Sequence, residues 1–237
     1  MVVPAGSTLN ANVARTWSTL AINGTLSHSE NYATAEYSEV HRIDITTTGN
    51  VTLNASGEIN VDELGFQRSE GPGAGADSTG GGGGGGYGGI GGNGNGGAAG
   101  GGTYGTQDNP LELGSGGGID TTGGGAGGGA IKIDAGGTFD ISGDITANGM
   151  FGTAYDGGGG SGGSINICAN AFSGNGSITA NGGDGRYSGG GGGGGRIYMC
   201  YLAANNHTGT KSVDGGTGAN NGSNGTIFEE QVNQLPA

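Results

Sequence analysis

Charged residues are scarce in this chain of 237 residues, and basic residues are the scarcest. Charged side chains make up 11% of the sequence, 7 residues are Lys or Arg, and the formal net charge is −13 at pH 7. Proteins that bind nucleic acid neutralise phosphates with Lys and Arg, and anionic membrane surfaces attract basic segments. The composition therefore excludes nucleic acid as a partner and is typical of a protein that works outside the cell.

Long apolar runs and helical periodicity are also missing. Hydrophobic residues make up 31% of the chain, and no apolar run approaches the roughly 20 residues that span a bilayer. We therefore expect no membrane insertion. Apolar residues do not recur at the spacing of an amphipathic helix, so an all-β chain is predicted.

Glycine is abundant, with 65 residues against a usual share of about 7%. Glycine loses more conformational entropy on folding than any other residue, so such a chain is either disordered or held by dense backbone hydrogen bonding. Short apolar segments interrupt the glycine at a regular interval, which favours an ordered repeat.

The repeat begins with isoleucines that head similar segments at positions 131, 165, 197 and 227, which are 34, 32 and 30 residues apart. An earlier copy starts at Ile43, 88 residues before Ile131. Apolar and polar residues alternate within each copy, as in a β-strand. The sequence predicts an all-β, parallel β-solenoid (β-helix) with rungs of about 33 residues. Residues 1–40 are predicted to form an N-terminal cap or first rung, and residues 41–237 the glycine-rich solenoid, within a single domain overall.

Glycine tracts at 80–86, 123–129, 157–160 and 189–195 lie before or between these segments. No helix or Lys follows them as a phosphate-binding loop requires. We expect ordered tracts of the polyglycine II kind, extended with three residues per turn like polyproline II. Ordered but irregular loops are the alternative.

Segments such as Ser177-Ile178-Thr179-Ala180-Asn181-Gly182, alternating with glycine tracts over residues 40 to 230, resemble glycine-rich β-helix segments of large bacterial and archaeal surface (adhesin-like) proteins. The tracts alone are similar to the polyglycine region of phage tail-tip adhesins, although strands separate them here. The resemblance implies surface attachment or scaffolding and carries over no site residues.

A column of Asx residues follows the second strand of each copy. Asx side chains tolerate left-handed backbone and hydrogen-bond within turns, so a stacked turn ladder is predicted. A calcium site is the alternative, and calcium is the one cofactor left open. The ladder comprises Asp62, Asn148, Asn181 and Asp214.

The two cysteines, Cys168 and Cys200, occupy the same register in neighbouring copies. Parallel strands lie about 4.8 Å apart, within the Cα separation that a disulfide accepts. Alternation places both on the outer face of the sheet. They are a candidate disulfide, and two adjacent free thiols are the alternative.

No catalytic constellation stands out. His28, His41 and His207 are far apart, and no Ser-His-Asp or Cys-His spacing suggests a nucleophile. We therefore predict neither a catalytic nor a metal site. The aromatics are more suggestive, because tyrosines on glycine-rich loops make good contacts; filling gaps between loops is the alternative. The candidate ligand-contact residues are Tyr87, Tyr104, Tyr155, Tyr187 and Tyr198.

Charged residues enter the predicted apolar columns at Lys211 and Glu229, which marks the end of the core. Open ends of stacked strands invite pairing with another copy. These observations predict an extracellular structural or adhesive surface module that assembles with itself, end to end into filaments or laterally, or contacts surface glycans. The alternatives are a carbohydrate-binding module and a polysaccharide lyase or glycosidase.

Overall fold

A computed structural model describes residues 1–31 and 41–236 of the chain. These residues contain 15 β-strands and no helix. The strands are β1 (Val2–Val3), β2 (Thr8–Asn10), β3 (Arg15–Trp17), β4 (Leu20–Ile22), β5 (Thr25–Ser27), β6 (Ile43–Thr47), β7 (Val51–Leu53), β8 (Glu58–Asn60), β9 (Ala130–Ile141), β10 (Asp144–Thr146), β11 (Ser164–Ser173), β12 (Ile178–Thr179), β13 (Arg196–Asn205), β14 (Lys211–Ser212) and β15 (Thr226–Gln231).

The strands form two sheets in which neighbouring strands run parallel. The nine-stranded sheet has the order β1-β4-β7-β9-β11-β13-β15, with β6 pairing to β9 and β3 pairing to β6. The six-stranded sheet has the order β14-β12-β10-β8-β5-β2. Strands on both sides of the domain boundary predicted at residue 40 therefore belong to the same two sheets, and residues 32–40 lie outside the described part.

The predicted β-solenoid with rungs of about 33 residues is wrong: the strands form two parallel sheets, of nine and six strands. The physical reason is that the chain lacks a constant structural unit. Leu9 pairs with Leu26, only 17 residues later, whereas Ile43 pairs with Ile131, 88 residues later. Residues 61–129 lie between those two partners and add no strand to either sheet.

The register of the later strands does follow the isoleucine pattern. Ile131 pairs with Ile165, Ile165 with Ile197, and Ile197 with Ile227. The core lies between the two sheets and consists of the inward isoleucines, leucines and valines, which are almost completely buried. Strand β9 changes partner near Gly136: its first half pairs with β6 and its second half with β7.

The four strandless segments 61–129, 147–163, 180–195 and 213–225 pack together, and we call them the glycine lattice. Their backbone amides donate to the carbonyl oxygens of several neighbouring segments, and the same neighbour recurs every three residues. The donor–acceptor pairs of one tract are Gly82–Asp156, Gly83–Ala76, Gly84–Gly92, Gly85–Gly159 and Gly86–Gly73. The lattice is therefore ordered by backbone hydrogen bonds, which satisfy the groups that glycine cannot cover with a side chain.

Candidate functional site

The Asx ladder, Asp62, Asn148, Asn181 and Asp214, is a run of side-chain-to-backbone hydrogen bonds at the join between the six-stranded sheet and the glycine lattice. The Asn148 amide donates to Asp62 Oδ1 at 2.6 Å, and the Asn181 amide donates to Asn148 Oδ1 at 2.8 Å. The Asp214 amide donates to Asn181 Oδ1 at 2.7 Å. Each side chain therefore holds the next layer, and across residues 1–31 and 41–236 no three His, Cys, Asp or Glu side chains converge as metal ligands.

The ladder residues do not have left-handed backbone, although tolerance of that conformation was the reason for predicting a turn ladder there. The residue with positive φ at this join is Glu63, at 61°. Glycine follows the later ladder residues because the chains approach closely: a Cβ on Gly149 would lie 2.2 Å from the Gly160 carbonyl oxygen. Close packing, rather than turn conformation, therefore requires glycine here.

Cys168 and Cys200 are bonded to each other, with a Cα separation of 4.5 Å. They point away from the isoleucine core, as alternation predicts, but both are fully buried. Tyr198 packs beside them, and Phe228, Val232 and Leu235 cover them. The outer face of the sheet is therefore covered at this point by the chain that follows β13.

Two of the five candidate contact tyrosines, Tyr87 and Tyr198, are buried, so the structure gives their side chains packing contacts in place of an exposed surface. The Tyr87 hydroxyl lies 2.7 Å from Ser164 Oγ and donates to Glu112 Oε2 at 3.0 Å. Burial raises its pKa. The Tyr198 hydroxyl donates to Glu230 Oε1 at 2.7 Å, and burial raises its pKa as well. Both rings fill space where loops meet the nine-stranded sheet.

Tyr104 is half-buried and belongs to the same interior network. Its ring centroid lies 4.8 Å from that of Tyr87, and its hydroxyl lies 2.8 Å from Ser115 Oγ. The Arg196 guanidinium donates to the Tyr104 carbonyl oxygen at 2.9 Å and lies over the Tyr87 ring. These contacts fasten the segment around residue 104 to strand β13, so Tyr104 has a packing role.

Tyr155 and Tyr187 are the exposed pair, with 73% and 74% of their surface accessible. They stand on neighbouring loops of the glycine lattice and border a cavity of about 310 Å³ together with Arg186. The Arg186 guanidinium carbon lies 5.1 Å from the Tyr187 ring centroid, and Arg186 Nη1 donates to the Thr153 carbonyl oxygen at 3.4 Å. Arg186 therefore connects the two loops.

Two further cavities, of about 210 and 230 Å³, continue from this one along the same side. The first shares Thr153 with the tyrosine cavity, and the two share Gln67, Ala126 and Met150 with each other. We call the three together the groove. Arg186 lies at its tyrosine end and Arg68 in the middle cavity, and its other end carries three acids. Those acids are Glu30, Asp62 and Glu63.

All four non-glycine residues with positive φ in the described chain lie at this groove. Glu63 (61°) and Tyr187 (48°) line it, Ser69 (59°) follows Arg68, and Asp156 (53°) follows Tyr155. Left-handed backbone costs an ordinary residue roughly 1–2 kcal/mol, and such strain clusters at functional sites. The groove is therefore the candidate functional site.

Comparisons with protein-family models, with curated proteins and with solved structures find no similar protein. Within the described residues, no helix is long and apolar enough to cross a membrane.

Sequence reasoning singled out Tyr155 and Tyr187 as contacts and Asp62 as a ladder residue, but it did not predict the groove that they line. Arg186, which borders the tyrosine cavity, was not singled out as a contact. The available signal was the interruption of glycine by larger side chains, in Met150–Asp156 and Arg186–Ser188. Glu63, whose pKa is raised by burial and by the neighbouring Asp62, gave no such signal.

Proposed function

We propose that this chain is an extracellular structural and adhesive surface module. The observation that carries the proposal is the glycine lattice, whose backbone hydrogen bonds fasten four strandless segments onto two parallel sheets. Such a scaffold holds loops rigidly without a large side-chain core. Rigid display of loops is what an adhesive surface needs, because little conformational freedom is lost on contact.

The disulfide and the charge support an extracellular location. Disulfides persist in oxidising compartments and are rare in reducing ones, and the Cys168–Cys200 bond is buried beneath the C-terminal segment. The net charge of −13 favours solubility and disfavours contact with nucleic acid.

The test is antibody labelling of intact source cells, compared with permeabilised cells, together with thiol alkylation of the protein as isolated. We expect labelling without permeabilisation and no alkylation of Cys168 or Cys200 before reduction. A Cys168→Ser variant provides the control, because Cys200 then becomes alkylatable after unfolding. Labelling that requires permeabilisation, or thiols that are free in the isolated protein, would overturn the proposal.

Carbohydrate binding is the second candidate, and the groove favours it. Exposed aromatic rings present apolar faces with a polar tip, and Tyr155 and Tyr187 lie beside Arg186 and Thr153, which supply hydrogen-bonding groups. Glycans displayed on an array would test this candidate. Binding that is lost in Tyr155→Ala and Tyr187→Ala but kept in Ile90→Ala, which removes an exposed side chain elsewhere, would support it.

The glycans identified by the array also distinguish binding from enzymatic activity. A lyase or glycosidase acting in the groove would release reducing ends from a glycan that the array identifies. Binding without release supports an adhesive or carbohydrate-binding role, whereas release that disappears in Glu63→Gln would favour the enzyme.

A further inference from the structure

Both ends of the nine-stranded sheet carry strands that have a partner on one side only. At one end β15 pairs only with β13; at the other end β3 pairs only with β6, and β1 pairs only with β4. All pairs in the sheet are parallel. A second copy in the same orientation can therefore place its β3 beside β15 without reversing any strand.

One inward column of the sheet ends in opposite charges. Within the molecule its members are apolar and fully buried, but an arginine stands at the β3 edge and a glutamate at the β15 edge. In order, the column is Arg15, Ile45, Ile133, Ile167, Met199 and Glu229. Head-to-tail stacking in this register brings Glu229 of one copy beside Arg15 of the next.

The adjacent inward column ends in exposed apolar side chains. Ile43, Ile131, Ile165 and Ile197 are 0–1% exposed, whereas Ile227 at the β15 edge is 40% exposed. Val13 lies two residues before Arg15, as Ile43 lies two residues before Ile45, and it is 57% exposed. Stacking in the register of the charged column would cover Ile227 with Val13.

The six-stranded sheet ends at the same two faces. Its inward column runs Leu9, Leu26, Ile59, Ile145, Ile178 and Lys211. Lys211 Nζ contacts Glu229 Oε1 at 2.9 Å, so the two sheets are joined by an ion pair at this face. A stacked copy would set Leu9 over the aliphatic stem of Lys211, which can cover apolar surface while its charge stays on Glu229.

The chain after β15 leaves this face open to a partner. The Val232 amide donates to the Tyr201 carbonyl oxygen at 2.9 Å. Val232 and Leu235 then pack on the outer face of the sheet, against the disulfide.

We infer that copies of this chain associate head to tail, with β15 of one copy pairing in parallel with β3 of the next. The register places Glu229 beside Arg15 and Ile227 beside Val13. The interaction deepens the structural role proposed above and rests on it, since repeated stacking at both ends produces a filament.

The test is a charge exchange followed by sedimentation or light scattering at low ionic strength. We expect Arg15→Glu and Glu229→Arg each to weaken self-association by about tenfold or more, because like charges meet at every contact. An equimolar mixture of the two variants should regain association, since each contact between unlike variants pairs opposite charges.

A third variant distinguishes weaker association from loss of folding. Glu229→Arg removes the contact with Lys211, so its melting temperature is followed alongside; Val13→Asp touches neither ion pair and should also weaken association by about tenfold. A wild type that stays monomeric at its solubility limit would overturn the inference. So would association that is unaffected by all three variants, which would indicate lateral contacts. If either occurs while intact cells are still labelled, the surface role stands and only the head-to-tail contact falls.

Discussion

The two sheets and the glycine lattice are both ordered, but opposite kinds of contact stabilise them. The sheets are stabilised by side chains: inward isoleucines, leucines and valines from both sheets form one buried cluster. The lattice has few side chains to bury, and its segments are joined by backbone hydrogen bonds. The sheets therefore depend on side-chain volume, and the lattice depends on its absence.

This difference explains how a chain with 65 glycines can be ordered. Each glycine costs more backbone entropy than another residue would. Without a Cβ, however, neighbouring segments approach closely enough for many lattice amides to donate to backbone carbonyl oxygens. The net contribution of one hydrogen bond is about 1 kcal/mol, so a dense network can offset the entropy that an isolated glycine tract could not.

Adding one methyl group inside the lattice should break it. A Cβ on Gly84 would lie 2.0 Å from the Gly191 carbonyl oxygen and 2.5 Å from its carbon, and both neighbours are backbone atoms that cannot rotate away. We expect Gly84→Ala to lower the free energy of unfolding by about 3 kcal/mol. Chemical denaturation followed by circular dichroism measures this change.

Gly102→Ala is the matched control, because a Cβ there meets no heavy atom within 4 Å and the φ of Gly102 is not positive. This variant should be neutral or more stable by up to about 1 kcal/mol, since alanine restricts the unfolded chain. Equal destabilisation by both substitutions would mean that backbone entropy, and not close approach, sets the demand for glycine.

His28 lies where the lattice joins the sheets, and its titration should reveal whether that join excludes water. Its Nδ1 lies 2.8 Å from the Ser29 carbonyl oxygen, and the Ala130 amide donates to Nε2 at 3.3 Å. Burial, with a smaller effect of His41, lowers its pKa to about 4. The neutral imidazole, with the proton on Nδ1, satisfies both contacts.

Because the pKa of His28 is lowered in the folded state, the free energy of unfolding should fall as the pH is lowered. Above about pH 6.5 the imidazole is neutral in both states and contributes no pH dependence. Between about pH 6.5 and pH 4 the unfolded chain binds a proton that the folded chain does not. We therefore expect the free energy of unfolding to fall by about 2 kcal/mol from pH 7.5 to pH 5 through this group.

His28→Gln removes the titrating group while keeping polar atoms near both partners, so it isolates the histidine from the many carboxylates. The variant should show a shallower fall in stability over that pH range. Identical profiles for the two proteins would show that His28 titrates normally and that the join is open to water.

Sequence predicted the strands better than it predicted how they assemble. The isoleucine register was predictable because alternation with a period of two marks the inward face, as Ile165 and Ile197 illustrate. The pairing of segments within the lattice was not, because glycine has no side chain to indicate which carbonyl its amide will meet. The groove was not predictable either: Glu63 and Tyr187 have left-handed backbone, and no local sequence pattern marks that conformation at a glutamate or a tyrosine.

The Asx ladder offers the smallest and most local test of the join between sheet and lattice. Asn148→Ala removes the oxygen that accepts the Asn181 amide, and we expect a loss of about 1 kcal/mol in the free energy of unfolding. Asn148→Asp keeps the acceptor, as Asp62 does one layer away, and should stay within about 0.5 kcal/mol of the wild type once salt screens the two carboxylates. If the alanine variant is as stable as the aspartate variant, the backbone network of the lattice holds the layers without its side chains, and the ladder follows the stacking rather than stabilising it.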